Sequence, residues 1–250
     1  MKNIKKLLKN NELSIGSWIT IPDPIIVEMM CKSKFDWLAI DLEHSAISME
    51  SVQDIIRIIT LHDIFPFVRL TSNDVNQIKR VMDAGALGII VPMVKTIEDI
   101  KVASDGMYYP DKGKRSVGLA RAQAYGRDLQ GYIKDLKKFG TLIVQIEHIE
   151  AVNNIDEIFS NKNIDGFFIG PNDLSASMGI PGDLKNTKLK KAITHIRDQA
   201  DKYNIPGGHH IIEPNINELV KAKKDGFKFI AYSLDIRMFD KSLAEFNRSV

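Results

Sequence analysis

Four short stretches carry the residue types that could do chemistry: Asp41-Leu42-Glu43-His44, Val68-Arg69-Leu70, Gln145-Ile146-Glu147 and Gly170-Pro171-Asn172-Asp173. Glu147 closes the apolar run Thr141–Ile146, and Asp173 follows a second apolar run, Gly166–Ile169. Runs this rich in apolar and β-branched residues read as strands buried on both faces. A carboxylate at the end of such a strand points into the mouth of a parallel sheet or barrel. Two carboxylates at successive strand ends could hold one divalent cation through oxygen and leave positions for water and substrate. Hard oxygen donors suit Mg2+ or Mn2+, with Co2+ a further candidate. The plainer alternative is that each acid caps the helix that follows it.

His44 stands three residues after Asp41, so an imidazole oriented by an acid could serve there as a base. Arg69 brings a fixed positive charge that could steady an oxyanion or enolate. Gly170 to Ser175 reads as a turn into a helix N-terminus, whose free N–H groups suit a substrate carboxylate. Each has a bland counterpart. His44 alone could be a surface or capping histidine, Arg69 an ion-pair former, and Asp83, just before Ala84-Gly85, mere helix-end polarity. Of the remaining histidines, His209 and His210 lie near the end of a strand and are either pocket-lining or a solvated pair. Together, a metal, an arginine, a carboxylate pocket and a base suit proton abstraction next to a carbonyl.

The elements that must position these groups alternate regularly. Strands are expected at 15–21, 35–40, 65–68, 87–91, 141–146, 166–169, 205–212 and 227–232. Helices are expected from Pro24 to Met30, from Ser48, over 74–83, 96–104, 129–139, 149–159, 188–203, 216–224 and 238–246, and at the amphipathic N-terminus. Apolar Val52, Ile55, Ile56 and Ile59 mark the second of these by their spacing. Eight β-then-α units within 250 residues argue for a single (β/α)8 TIM barrel, one domain over 1–250. A doubly wound sheet would place a glycine-rich loop after its first strand, and Pro22-Asp23-Pro24 stands there instead. The stretch 107–127 breaks the rhythm; a loop of that length is usually functional or ordered by a partner.

Composition sets outer limits. With 44% hydrophobic and 26% charged residues and a net charge of +2, a soluble globular protein is expected, with no nucleic-acid partner. No apolar segment is long enough for a bilayer, and the N-terminus is too polar after Leu8 for a signal peptide. The one cysteine, Cys31, excludes an internal disulfide and a cysteine-based zinc site, and fits a reducing cytoplasm. No lysine sits at a convincing strand end for a Schiff base.

Taken in order, the motifs resemble those of the HpcH/HpaI aldolase family of metal-dependent, class II pyruvate aldolases. Besides the four stretches above they include Val81-Met82-Asp83-Ala84-Gly85-Ala86, Ile90-Val91-Pro92-Met93-Val94, Lys114-Arg115-Ser116-Val117-Gly118, Gly166 to Ser175 and Met178-Gly179. The resemblance implies a (β/α)8 barrel, usually hexameric, with its last helix on a neighbouring subunit. It implies Glu147 and Asp173 as metal ligands, His44 as base, and Arg69 as enolate stabiliser. Asp83 would raise the basicity of His44, across a subunit interface, with Asp41 a competing candidate for that support. Gln145 and the backbone around Gly170, Asn172 and Asp173 would hold pyruvate. The expected reaction cleaves or forms 4-hydroxy-2-oxo acids from pyruvate and an aldehyde, His44 moving the proton on the aldol hydroxyl directly or through a water. A related lyase acting on phosphoenolpyruvate, oxaloacetate or an acyl-CoA ester, and a non-catalytic small-acid binder, are the rival expectations. The pattern departs from the family at Pro206 to Ile212 and at Tyr232, which puts the acceptor side in question.

Overall fold

Capping residues start most of the helices where the sequence places them. Asp23, Ser48, Asp74, Asn186 and Asn215 each accept a backbone N–H from the first turn of the helix that follows. Thr96 and Asp99 form a reciprocal capping box. The structure, a computed structural model, describes residues 1–249, with side chains described through Phe246. In chain order it runs α1 (Ile4–Lys9), β1 (Ser14–Ile19), α2 (Pro24–Cys31), β2 (Trp37–Asp41), α3 (Met49–Leu61), β3 (Phe65–Arg69), α4 (Val75–Ala84), β4 (Gly88–Val91) and α5 (Ile97–Met107). It continues with α6 (Leu129–Phe139), β5 (Thr141–Ile146), α7 (Ile149–Asn153), α8 (Ile155–Ser160), β6 (Gly166–Ile169), α9 (Pro171–Ser177), α10 (Thr187–Tyr203), β7 (Gly207–Ile211), α11 (Ile216–Lys224), β8 (Phe229–Leu234) and α12 (Asp235–Ser249).

The strands are all parallel and close into a barrel in sequence order, β8 pairing with β1. The (β/α)8 expectation holds. Inside the barrel an aromatic stack fills the axis, with Trp37 4.8 Å from Phe229 and Phe168 5.0 Å from Phe229 between ring centres. Ile4 and Leu8 of α1 join this inner cluster, so the N-terminal helix helps to seal the barrel. Outside, aliphatic residues of the strands meet the buried faces of the helices. Gly85 ends α4 in the left-handed region (φ 108°), and a Cβ there would run into the Arg121 guanidinium. Among the described residues no helix is long and apolar enough to cross a membrane.

Five details differ from expectation. The helix expected over 149–159 is broken at Asn154, whose side-chain amide donates to the carbonyl of Lys95 at 3.1 Å; no local pattern announces so distant a contact. β7 is shorter than expected, and β8 begins at Phe229 because Phe227 stacks on His209 instead of continuing the strand. α12 starts at Asp235, directly after β8. The 107–127 segment, expected to be either functional or ordered by a partner, is tied down by its own chain. Arg115 is fully buried, donates to the Met107 carbonyl (3.0 Å) and the Tyr132 hydroxyl (2.8 Å), and lies over the Tyr109 ring. Arg121 donates to the Ala84 carbonyl and the Thr60 hydroxyl.

Candidate active site

The register of the barrel puts Asp41 of β2 directly beside Arg69 of β3. Arg69 donates from Nε to Asp41 Oδ1 (2.9 Å) and from Nη2 to Oδ2 (2.6 Å), a fork-on-carboxylate pair. Its Nη1 lies 3.2 Å from Glu43 Oε2, and its guanidinium sits 4.6 Å from the centre of the Trp18 ring. Arg69 is therefore held from three sides. Asp41 Oδ1 also accepts the backbone N–H groups of Glu43 and His44, which shapes the turn that follows β2. Asp41 thus engages the backbone of His44 and leaves its imidazole alone. The carboxylate nearest that ring is Glu43, 3.8 Å from Nε2.

Glu147 is 2% exposed at the end of β5. Its Oε1 accepts the Met93 N–H at 2.7 Å and its Oε2 accepts the Gln145 amide N–H at 2.8 Å. Met93 adopts a left-handed conformation (φ 54°), an uncommon state for such a residue, and the bond to Glu147 is what that backbone turn provides. The next strand must come close. A Cβ at residue 170 would strike the Glu147 carboxylate, so glycine is required there. Gly170 leads into α9, where Pro171 occupies the first turn and the Leu174 N–H closes onto the Gly170 carbonyl. That turn delivers Asn172 and Asp173 to the same mouth.

An open cleft of about 1510 Å3 takes in His44, Arg69, Gln145, Glu147, Gly170, Asn172 and Asp173, and continues past β7 to the groove between α10 and α11. The mouth is crowded with acid. Burial pushes the Glu43 carboxyl up to about 7, Arg69 opposes the rise, and the charges of Glu147, Asp41 and Asp173 add to it. Burial also raises Glu147, against the two hydrogen bonds it accepts. Asp83 is not in the mouth. It lies on α4 with its Oδ1 3.8 Å from Arg115 Nε, and burial raises its carboxyl. Within one chain, then, Asp83 and His44 are not brought together.

Sequence reasoning passed over two residues of this site and left a pair of histidines open. Glu43 was quoted in its motif without a role, although its spacing from Asp41 puts both on one side of an extended chain. Trp18 carries no sequence signal beyond its place near the end of the first strand. The pair at 209–210 is divided: His209 packs outward on Phe227 at 4.5 Å, and His210 faces the mouth, 5.6 Å from the centre of Trp18.

The donor set fits a divalent cation. Glu147 and Asp173 offer hard anionic oxygens, Glu43 Oε2 is a buried acceptor with no hydrogen bond, and Arg69 is already paired with Asp41 and Glu43. Among the described residues no three His, Cys, Asp or Glu side chains are placed to chelate an ion by themselves. The protein would thus supply two carboxylates and leave the other positions to water and substrate, as Mg2+ prefers.

Comparison with known proteins agrees with this architecture. The family model described as HpcH/HpaI aldolase/citrate lyase matches residues 14–241. The hydroxypyruvate/pyruvate aldolase of Sagittula stellata is 33% identical over 94% of this chain and 92% of its own. The 5-keto-4-deoxy-D-glucarate aldolase of Escherichia coli K12 is 31% identical over 94% of this chain and 91% of its own. The crystal structure of an HpcH/HpaI aldolase/citrate lyase family protein from Burkholderia cenocepacia superposes with a TM-score of 0.90 at 24% identity, covering 99% of both chains.

Proposed function

Because the chain belongs to the HpcH/HpaI aldolase/citrate lyase family, whose members are carbon–carbon lyases, we propose that it is a class II aldolase that cleaves and forms 4-hydroxy-2-oxo acids, with pyruvate as the enolate component. The observation that carries the reading is the convergence of Asp41, Glu43, Glu147 and Asp173 on one arginine at one barrel mouth. Glu147 and Asp173 would hold Mg2+ or Mn2+. When bound, the ion supplies Lewis-acid charge to the oxygens of pyruvate.

Arg69 keeps N–H groups beyond those given to Asp41 and Glu43, and these meet the charge that develops on the enolate oxygen. In the cleavage direction His44 takes the proton of the 4-hydroxyl, the C3–C4 bond breaks, and its electron pair passes into the pyruvate enolate. The aldehyde departs, and a proton returned to the methylene carbon completes pyruvate. Gln145 fixes the Glu147 carboxylate, and the turn Gly170–Asp173 receives the pyruvate carboxylate. Asp83 acts on His44 only across a subunit interface, since in its own chain it lies elsewhere.

A homo-oligomer, a hexamer by resemblance, accords with the apolar residues Ile236, Phe239 and Leu243, which are exposed at helical spacing along α12. We assign that face to a neighbouring subunit; a monomeric mass by light scattering would overturn the assignment. The single buried thiol, Cys31, accords with a cytoplasmic protein.

The test is pyruvate release from a panel of 4-hydroxy-2-oxo acids, before and after chelation. Activity should vanish with chelator, return with Mg2+ or Mn2+, and be absent in Glu147→Ala along with calorimetric Mn2+ binding. Full turnover in chelator-treated protein would remove the class II reading.

A further inference from the structure

The pyruvate half of the mouth is accounted for above; the half that must receive the aldehyde is bounded by β7. Side chains alternate along a strand, and β7 obeys this: His209 packs outward on Phe227 with its ring nearly parallel to it (23°), so His210 turns inward. There it stands 5.6 Å from Trp18, which also carries the Arg69 guanidinium over its ring. Imidazole, indole and guanidinium thus form one continuous wall of the mouth. His210 is open to the cleft, and among the described residues no hydrogen bond engages its ring nitrogens.

We propose that His210 is the specificity-determining residue for the aldehyde half of the substrate, and that it selects a small, uncharged aldehyde bearing a hydroxyl beside its carbonyl. The proposal rests on the aldolase reading and goes beyond it.

Charge argues against an anionic acceptor. Asp41, Glu43, Glu147 and Asp173 face a single arginine, and a divalent ion with a pyruvate anion still leaves the mouth negative, with or without a proton on Glu43. A carboxylate-tailed aldehyde would enter a like-charged site where it needs a free cation, and Arg69 is already paired with Asp41 and Glu43. His210 does not supply one. The protein packed around it, then the charges of Arg69 and His209, hold its pKa down to about 4, with only Asp41 opposing, so it is neutral across the physiological range. Polarity argues against an apolar acceptor. A neutral imidazole offers one donor and one acceptor, and a methyl or phenyl group placed against it would strip water from both without replacing it. A hydroxyl would satisfy one of them.

Glycolaldehyde and propanal differ by a hydroxyl for a methyl and make the probe pair; succinic semialdehyde is the anionic probe. Their condensation with pyruvate is followed in wild type, His210→Leu and His210→Gln, together with proton exchange at the pyruvate methyl in the absence of aldehyde. Glycolaldehyde is intrinsically the more reactive, so the readout is the change in the kcat/KM ratio between proteins. His210→Leu should shift the ratio of glycolaldehyde to propanal toward propanal by about tenfold, the effect of one neutral hydrogen bond. His210→Gln should keep it near the wild-type value, and succinic semialdehyde should be the poorest acceptor of wild type. Exchange should be the same in all three, which shows that the fold and the pyruvate site are intact. An unchanged ratio in His210→Leu with exchange preserved overturns the role of His210 and leaves the aldolase reading standing, as does a wild-type preference for succinic semialdehyde. Absence of both exchange and condensation in wild type sinks the aldolase reading and this proposal with it.

Discussion

The two sides of the barrel mouth are built on opposite principles. Around β2, β3 and β5 two charged groups are pinned: Arg69 by Asp41, Glu43 and Trp18, and Glu147 by Met93 and Gln145. Around β7 the strand pairs with β6 over only Phe167–Gly207 and Phe168–Gly208 and presents a neutral imidazole that, among the described residues, has no hydrogen-bond partner. Hydrogen bonds that fix side chains before substrate arrives are what electrostatic catalysis needs. A wall that only has to accept one shape of aldehyde needs none of this. On the proposed reading the contrast divides the labour: the pinned side would handle the part of the substrate that every turnover shares, and the loose side the part that gives specificity.

The largest effects should come from breaking the pinned side. His44→Ala should lower turnover by about 10²–10⁴, the usual loss for a general base, with KM for the hydroxy-oxo acid nearly unchanged. Exchange at the pyruvate methyl should survive that change better than cleavage does, because the 4-hydroxyl proton plays no part in it. Arg69→Ala should lower exchange and cleavage together, by about 10²–10³, since enolate formation is common to both. Wild-type cleavage by His44→Ala would place the base elsewhere, and exchange that resists Arg69→Ala would erase the distinction between the two sides of the mouth.

How much of this division was legible in the sequence depends on the range of the interaction that causes it. Thr141–Ile146 and Gly166–Ile169 coincide with β5 and β6, because an apolar run ending in a polar residue is a local signal. Glycine at 170 and the acids at 147 and 173 follow from the same strand ends. The tethering of Arg69 follows only from the β2–β3 register, and the bond from Met93 to Glu147 only from a backbone turn 54 residues away. The roles of His209 and His210 required knowing where β7 begins, since a slip of one residue would exchange them. Asp83 stands apart. Its motif was legible, yet its own chain pairs it with a buried arginine outside the mouth, and no reading of one chain brings it to His44.

The smallest effect tests whether the pinned side stores repulsion when no cation is present. Glu43 is the sensitive probe, because burial lifts its carboxyl from 4.5 to about 7 while Arg69 draws it down. In the unfolded chain this group loses its proton near 4.5; in the folded protein it keeps the proton until about 7. Across that window the folded state binds more protons than the unfolded one, so its stability falls as pH rises. The contribution is fully present below pH 4.5 and is lost above 7. The mouth is open to solvent, which screens the effect, and a residual change of about 1 kcal/mol corresponds to roughly 2–4 °C in a domain of this size. In chelator-treated protein Glu43→Gln should therefore flatten the fall in Tm between pH 5 and 8 by a few degrees, and added Mg2+ should flatten it in wild type by offsetting the same charge. A Tm profile in Glu43→Gln that matches the metal-free wild type would mean that Arg69 already neutralises Glu43, and that the acidic side of the mouth carries no unmet charge for a cation to satisfy.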